Sequence, residues 1–540
     1  MISVFSFHLF FYCPPVNSVK QPKPARRPAA KPARRPAARA TTPKATPASP
    51  PEIKCWATDP RDALQLRQVT LPTLPGTVLA VQLDQAQPDG HPYSAGTAGF
   101  RYWVAAEALR RAADFWSAAG CQGWEASTIG KTLKVRLDAG TQLNAYYSRE
   151  DGGLSFYHFT VTDPAHPGHL QTVYFGESPD ILAHELGHAV LDAVRPDLWN
   201  QTTAEYTAFH ESFGDMSAVL TALQVREVRV AVVAETQGQL WRNSLVSRLA
   251  EEIGGAMRQV YPQYADADCL RNVSLRWVYR DPTELSADGP NTVLTSEPHN
   301  FSRVFTGAFY QALGYMVRAV AGAATATEAH VLEASFDMGR LLLQAVQAAP
   351  LRTHFYQAVA EQLVIAAGQH ATHGPGYVKA LTAALVRYGL LASPAPPPAN
   401  QSARSFAHAV AFAAVGTDDN GQAHPSANVP AHLALDGSLL GLSTPIMVQG
   451  PALDEQGTRR PVGLVAALPP AASPRERAMQ SFVESLARRG RIDIGAAGAP
   501  ADSFLQLVQS SSHTTHRLET TADGTVNLRR VRVDCGCNRH

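Results

Sequence analysis

A chain of 540 residues exceeds what one ordinary hydrophobic core holds, and the usual domain sizes point to about two to four folded units with linkers. A net charge of +1 with 45 % apolar residues excludes a wholly disordered or wholly membrane-embedded chain, and selects no partner. The six cysteines, Cys13, Cys55, Cys121, Cys269, Cys535 and Cys537, are too sparse for a dense disulfide framework and leave the redox compartment open.

Met1 to Tyr12 is apolar but too short to span a bilayer, and it lacks the Lys or Arg that opens a secretory signal. An atypical signal and a misassigned start fit comparably, with secretion slightly favoured over a cytoplasmic location. No later stretch offers about 20 uncharged apolar residues, so no transmembrane segment is expected. Apart from Gln21, Lys20 to Lys44 is built from Pro, Ala, Lys, Arg and Thr without acidic residues and repeats PARRPAAK as PARRPAAR. Its prolines forbid a continuous helix and its like charges repel, so residues 1–50 read as an apolar start and a disordered basic arm. The arm could meet anionic surfaces, but no aromatics interleave its charges for stacking on bases, which leaves nucleic-acid binding as a minor reading.

Folded sequence starts near Pro51. Tyr102 to Ala119 has the period of an amphipathic helix, Lys131 to Leu137 alternates as a strand, and Leu143 to Thr162 reads as extended chain around the turn Glu150-Asp151-Gly152-Gly153. Residues 51–199 thus form a mixed α and β lobe. From Pro179 to Leu391 the pattern is helical almost throughout, with helices expected at 180–194, 203–224, 301–322, 328–347, 353–369 and 376–389, so residues 200–393 read as an all-α lobe. Ser393-Pro394-Ala395-Pro396-Pro397-Pro398 opens residues 394–540, a linker and small extra domain with a helix near 475–489.

His184-Glu185-Leu186-Gly187-His188 places two imidazoles at i and i+4, one turn apart on one helix face, where they can share a tetrahedral ion. Ser178 can cap this helix, Pro179 suits its first position and Arg195-Pro196 stops it. The flanks Asp180-Ile181-Leu182-Ala183 and Ala189-Val190-Leu191 are mostly apolar, unlike those of a surface helix with two unremarkable histidines. A second i, i+4 pair follows in Ala208-Phe209-His210-Glu211-Ser212-Phe213-Gly214-Asp215. One of its carboxylates can complete the metal sphere while the other accepts the spare N–H of a ligating imidazole. A fourth position then stays open for water, as in catalytic rather than structural sites.

Together, DILAHELGHAV and HESFGD resemble the HExxH and ExxxD signatures of the thermolysin-like zinc metallopeptidases, a group of gluzincins. The resemblance covers roughly residues 55 to 391 with the motifs in family order. It implies an α+β, two-lobed peptidase with a β-rich N-terminal lobe, a central HExxH helix and an all-α C-terminal lobe. It further implies one catalytic Zn2+ on His184, His188 and Glu211, Glu185 as the base towards the attacking water, and Asp215 as the support of a ligating imidazole. Asn144-Ala145-Tyr146-Tyr147 is similar to the family's substrate-binding edge strand, which gives Asn144 and Ala145 to peptide backbone. The stretch Glu297-Pro298-His299-Asn300-Phe301-Ser302 is similar to its histidine segment, and makes His299 the stabiliser of the transition state. Arg276 is similar to the arginine that contacts substrate, one residue off its spacing. The implied activity is endopeptidase action on peptide or protein substrates.

Departures stand beside these matches. His210 replaces a common Asn, and Ala222 and Leu223 stand where an acidic residue would complete a paired Ca2+ site. No long propeptide precedes the folded part, which leaves activation open. The alternative from another class is a catalytically inactive zinc-binding scaffold used for adhesion or anchoring, although such a module needs no general base. His158, His166 and His169 are expected to be surface histidines in a loop rich in Pro and Gly. Cys535-Gly536-Cys537 suits disulfides or free thiols better than a zinc knuckle.

Overall fold

In the computed structural model, the described residues are 52–392 apart from a few loop positions, 430–451 apart from residue 441, 473–495 and 513–535. The basic arm, the Pro-rich linker, Cys13 and Cys537 lie outside them. The chain is an α+β fold, and the described residues from 52 onward fall in one compact unit.

The N-terminal part begins with the antiparallel pair β1 (Glu52–Cys55) and β2 (Arg67–Thr70). Strands β3 (Val81–Leu83), β4 (Leu133–Arg136), β5 (Ala145–Ser148) and β6 (Gly153–Phe156) then build a sheet in the order β5-β6-β4-β3. β3, β4 and β6 run parallel, while β5 turns back through Glu150-Asp151-Gly152 to pair antiparallel with β6. Gly152 takes φ 65°, a conformation that costs glycine little, which is why the turn sits there. Every residue of β5 and β6 is buried, so neither strand shows the alternation of a half-exposed one.

Helix α1 (Ala98–Ala119) starts where Thr97 Oγ1 accepts the Phe100 N–H at 3.3 Å. It buries Trp103, Trp116 and a run of alanines against the sheet and the next helix. The pair β7 (His158–Thr162) and β8 (Leu170–Tyr174) follows. His158 therefore lies in a strand rather than a loop: it stands opposite Tyr174 in the β7-β8 ladder, while its N–H donates to Gly140 O at 3.0 Å and its C=O accepts the Gln142 N–H at 2.9 Å. His166 and His169 are exposed at the turn, as expected of surface histidines.

Helix α2 (Pro179–Val194) carries the HExxH residues. Ser178 Oγ accepts the Ile181 N–H at 3.5 Å, Pro179 fills the first turn and Arg195-Pro196 ends it. Nearly all of its residues are buried, so it crosses the middle of the molecule. Helix α3 (Ala204–Ala222), wholly buried, packs closely along it at two glycines. A Cβ on Gly187 would lie 2.8 Å from Ser217 Cβ, and one on Gly214 would lie 2.6 Å from the His184 ring. The contact is tied by Ser217 Oγ, which donates to Ala183 O at 2.7 Å and accepts from Trp116 Nε1 at 2.9 Å.

Residues 200–393 are less uniformly helical than periodicity suggests. After α4 (Arg226–Thr236) come the short pair β9 (Arg248–Leu249) and β10 (Arg271–Asn272), with α5 (Glu251–Val260) between them and irregular chain up to residue 297. The helices α6 (Pro298–Ala321), α7 (Glu328–Ala348), α8 (Phe355–Gly368) and α9 (Gly374–Arg387) then pack with α3 around Phe209, Phe301, Phe305 and Tyr356. Among the described residues no helix is long and apolar enough to cross a membrane.

Residues 430–535 contain β11 (Ala431–Leu435), β12 (Ile446–Gly450), α10 (Pro474–Arg488), β13 (Ile492–Asp493), β14 (His516–Thr520), β15 (Val526–Arg530) and β16 (Arg532–Asp534). The sheet β11-β12-β15-β14-β13 has its own core with α10, around Ile446, Met479, Phe482, Leu486 and Leu518. Residues beyond 394 were expected to form a small extra domain; the described ones have an apolar cluster of their own but share one compact unit with the rest. Thr202 N–H donates to Gln449 O at 2.8 Å, Trp199 Nε1 to Arg530 O at 3.0 Å, and β16 leaves the lobe to join β5 as a fifth strand of the first sheet.

Candidate metal centre and peptide cleft

The side chains of His184 and His188 leave α2 one turn apart and face Glu211 on α3. Glu211 Oε2 lies 3.4 Å from His184 Nε2 and 3.9 Å from His188 Nε2. All three side chains are fully buried, and none of these three atoms has a hydrogen-bond partner. Left without a cation, each would carry a desolvation cost of about 1–3 kcal/mol. Two imidazole nitrogens and a carboxylate oxygen at this spacing fit a tetrahedral ion, whose donor atoms stand about 3.4 Å apart for bonds of about 2.1 Å.

A second carboxylate, Glu185, is also near, since donor atoms of His184, Glu185 and His188 lie within 4.8 Å of one another. Electrostatics separate the two. The Glu211 carboxyl pays a burial penalty, yet His299, His188 and His184 around it hold it well below the usual range. Burial instead pushes Glu185 well above that range, and neither of its oxygens has a partner. Glu211 is therefore the better donor to a cation, and Glu185 is a carboxyl suited to carrying a proton.

Asp215, one turn beyond Glu211, accepts from His184 Nδ1 at 3.0 Å, which leaves Nε2 free to face the cation. Burial opposes the charge of Asp215, but Arg271 outweighs it and lowers its pKa. Arg271, on β10, donates to both Asp215 oxygens at 2.8 to 3.2 Å. Burial lowers the pKa of His188 to about 3, so its imidazole is neutral and able to bind a cation. His210 is likewise buried and kept neutral by burial and by Arg530. Its ring stands between His188 and Trp199, with centroids 6.0 Å from each.

His299 enters from the start of α6. Glu297 caps that helix by accepting the Asn300 N–H at 2.9 Å and also accepts from His299 Nδ1 at 2.8 Å. His299 Nε2 stands 3.1 Å from Glu211 Oε2 and donates to the Asp534 carbonyl at 2.7 Å. Burial disfavours its charge, but Glu211 and Glu297 outweigh that and raise its pKa well above the usual value.

Of the residues singled out from the sequence, His184, Glu185, His188, Glu211, Asp215 and His299 meet around one small volume, and Asn144 and Ala145 border it through Cys535, which both contact. Arg276 does not. It is exposed beyond the end of β10, while Arg271, facing inward on that strand, reaches the site. Glu297, Arg271, Asp534 and Cys535 were not anticipated. A Glu-Pro pair ahead of His299 is a legible helix start, and could have suggested Glu297 as its cap. Nothing local marks Arg271 or Cys535. Among the described residues no other group with metal-ligand spacing forms, including around His158, which bonds Asp138 at 2.7 Å. Cys55, Cys121, Cys269 and Cys535 are buried thiols. No protein-family model matches this chain, and no curated protein is significantly similar to it.

Proposed function

We propose that the chain is a zinc-dependent endopeptidase of the thermolysin-like kind, with zinc held by His184, His188 and Glu211. The observation that carries this reading is the convergence of His184 Nε2, His188 Nε2 and Glu211 Oε2, three buried and unsatisfied donors, beside the unpartnered carboxyl of Glu185. When bound, zinc would supply Lewis acidity, lowering the pKa of water and polarising a peptide carbonyl. Glu185 takes the proton of the attacking water and returns it to the leaving amine. His299, oriented by Glu297, donates through Nε2 to the carbonyl oxygen on which negative charge develops. Asp215 and Arg271 hold His184 in one tautomer and orientation.

β5, expected to be a free edge strand, is paired with residues 532–534 in this structure, and its outer side offers a place for a peptide where they now lie. An extended backbone added there gains main-chain hydrogen bonds whatever its side chains, a mode fitted to protein substrates. The mixed lobe before α2 and the helical lobe after it support the two-lobed thermolysin-like arrangement, with the active groups at their junction.

Hydrolysis of a quenched-fluorescent peptide mixture by the zinc-loaded full chain tests this, read by fluorescence and by mass spectrometry of products. Cleavage should disappear with a zinc chelator and in Glu185→Gln, which keeps the three ligands. Cleavage persisting undiminished in Glu185→Gln would sink the reading. The second reading, an inactive zinc-binding scaffold, draws on the occupancy of the β5 edge by residues 532–534. Absence of cleavage by folded, zinc-loaded protein even after that strand is displaced would favour it.

A further inference from the structure

The described C-terminal strand crosses the candidate site in the manner of a bound peptide. Residues 532–534 run antiparallel to β5, with Arg532 opposite Ser148, Val533 opposite Tyr147 and Asp534 opposite Tyr146. Beyond the strand, Cys535 N–H donates to Ala145 O at 2.9 Å, and Cys535 Sγ accepts the Ala145 N–H at 3.3 Å. The two carbonyls flanking the Cys535 Cα and N then meet the cationic side chains of the site. Asp534 O accepts from His299 Nε2 at 2.7 Å, and Cys535 O accepts from Arg271 Nη1 at 3.2 Å. The Asp534–Cys535 peptide unit is thus held at N–H and at C=O by the groups a scissile peptide would meet.

The rest of the lobe keeps the strand there. Arg491, between α10 and β13, bonds Asp534 Oδ2 at 2.9 Å, and Ser148 Oγ donates to Val531 O at 3.2 Å. Arg517 on β14 meets Glu150 at the β5-β6 turn at 2.9 Å. Val533 and Cys535 pack into the main core, whereas Leu518 and Leu528 of the preceding strands belong to the lobe's own core. A strand serving only to cover a sheet edge needs apolar and ladder contacts. This one also presents a peptide unit to His299 and Arg271.

We propose that residues 532–535 are a built-in inhibitor of the site: the C-terminal lobe lays them along β5 in the register of a substrate, and an external peptide gains access only when they leave. This regulation rests on the peptidase reading above. Because the occupant is on the same chain, its effective concentration is about millimolar, and a dilute peptide competes poorly with it.

The test uses the full chain with Val533→Asp, which puts a carboxylate at a site 3 % exposed, and Cys535→Pro, which removes the donor to Ala145 O. Arg491→Ala serves as a milder third variant should either fail to fold. Amide hydrogen exchange at residues 145–148 is followed without metal, and hydrolysis of a quenched-fluorescent peptide is followed with saturating zinc. The expected result is exchange and hydrolysis each at least about tenfold faster in the variants than in the wild type. Unchanged exchange in folded variants would overturn the proposal, as would wild-type hydrolysis already matching variants whose strand has been released. Faster exchange with no hydrolysis by any zinc-loaded form would overturn the peptidase reading, and the inhibitory role with it, while leaving the strand's place on β5 established.

Discussion

Gly214→Ala is the sharpest probe of how α2 and α3 set the candidate metal site. The added methyl would fall 2.6 Å from His184 Cε1, 2.7 Å from Nδ1 and 2.9 Å from Cγ. Carbon atoms prefer separations of about 3.5–4.0 Å, so the ring or the helix must move by about 1 Å. Metal–ligand distances tolerate only about 0.2 Å, and His184 is pinned from its other nitrogen by Asp215 at 3.0 Å. The expected loss of zinc affinity is about 10- to 100-fold, or about 1.4–2.8 kcal/mol. Overpacking costs folding stability about 1–3 kcal/mol, partly offset by the better helix propensity of Ala, about 1 kcal/mol. Competition for zinc with a chromogenic chelator reads the affinity, and urea unfolding of the metal-free protein reads the stability. A folded Gly214→Ala protein that binds zinc as tightly as the wild type would refute the idea that this close approach positions His184.

Glu185→Gln should keep zinc affinity within about threefold while lowering peptide hydrolysis by about 10² to 10⁴, measured on the same preparation. Burial, reinforced by Asp59, raises Glu252 from 4.5 to about 8, and burial raises Asp59 from 3.8 to about 6. The folded chain therefore holds protons that the unfolded chain releases, and this stabilisation, complete below about pH 4, is lost as pH rises towards 8. Glu252→Gln should flatten the fall in Tm between about pH 5 and 8, and a slope identical to the wild type would count against the assignment. The fully buried Asp192 accepts from Tyr147 OH at 2.5 Å and Arg149 Nε at 2.9 Å. Asp192→Ala should cost about 3 kcal/mol in urea unfolding, since it strands a buried hydroxyl and a largely buried cation.

The parts of the fold that could be read in advance are those whose signals are local. α2 carries its own cap, first-turn proline and stop, and the turn at Gly152 announces the β5-β6 hairpin. α4 was harder to separate because REVRVAVVAET alternates Val with polar residues and suits a strand nearly as well as a helix. α5 begins at Ala250 with φ 52°, a start that no ordinary capping residue marks. β16 had least to show. It is three residues long, and the Ala145–Cys535 contact beside it joins positions 390 apart in the chain. Site residues followed the same division. The i, i+4 pairs on α2 and α3 are legible from spacing, whereas Arg271 acts through a fold-level approach of β10 to α3, and the family resemblance, one residue off its spacing, pointed instead to the exposed Arg276.

Zinc content of the purified full chain, measured after zinc loading and desalting, tests the central claim most directly. The account predicts one zinc ion per chain in the wild type and in Glu185→Gln, and its loss in Glu211→Ala. A wild type that retains none, or a Glu211→Ala protein that holds zinc as firmly as the wild type, would contradict it.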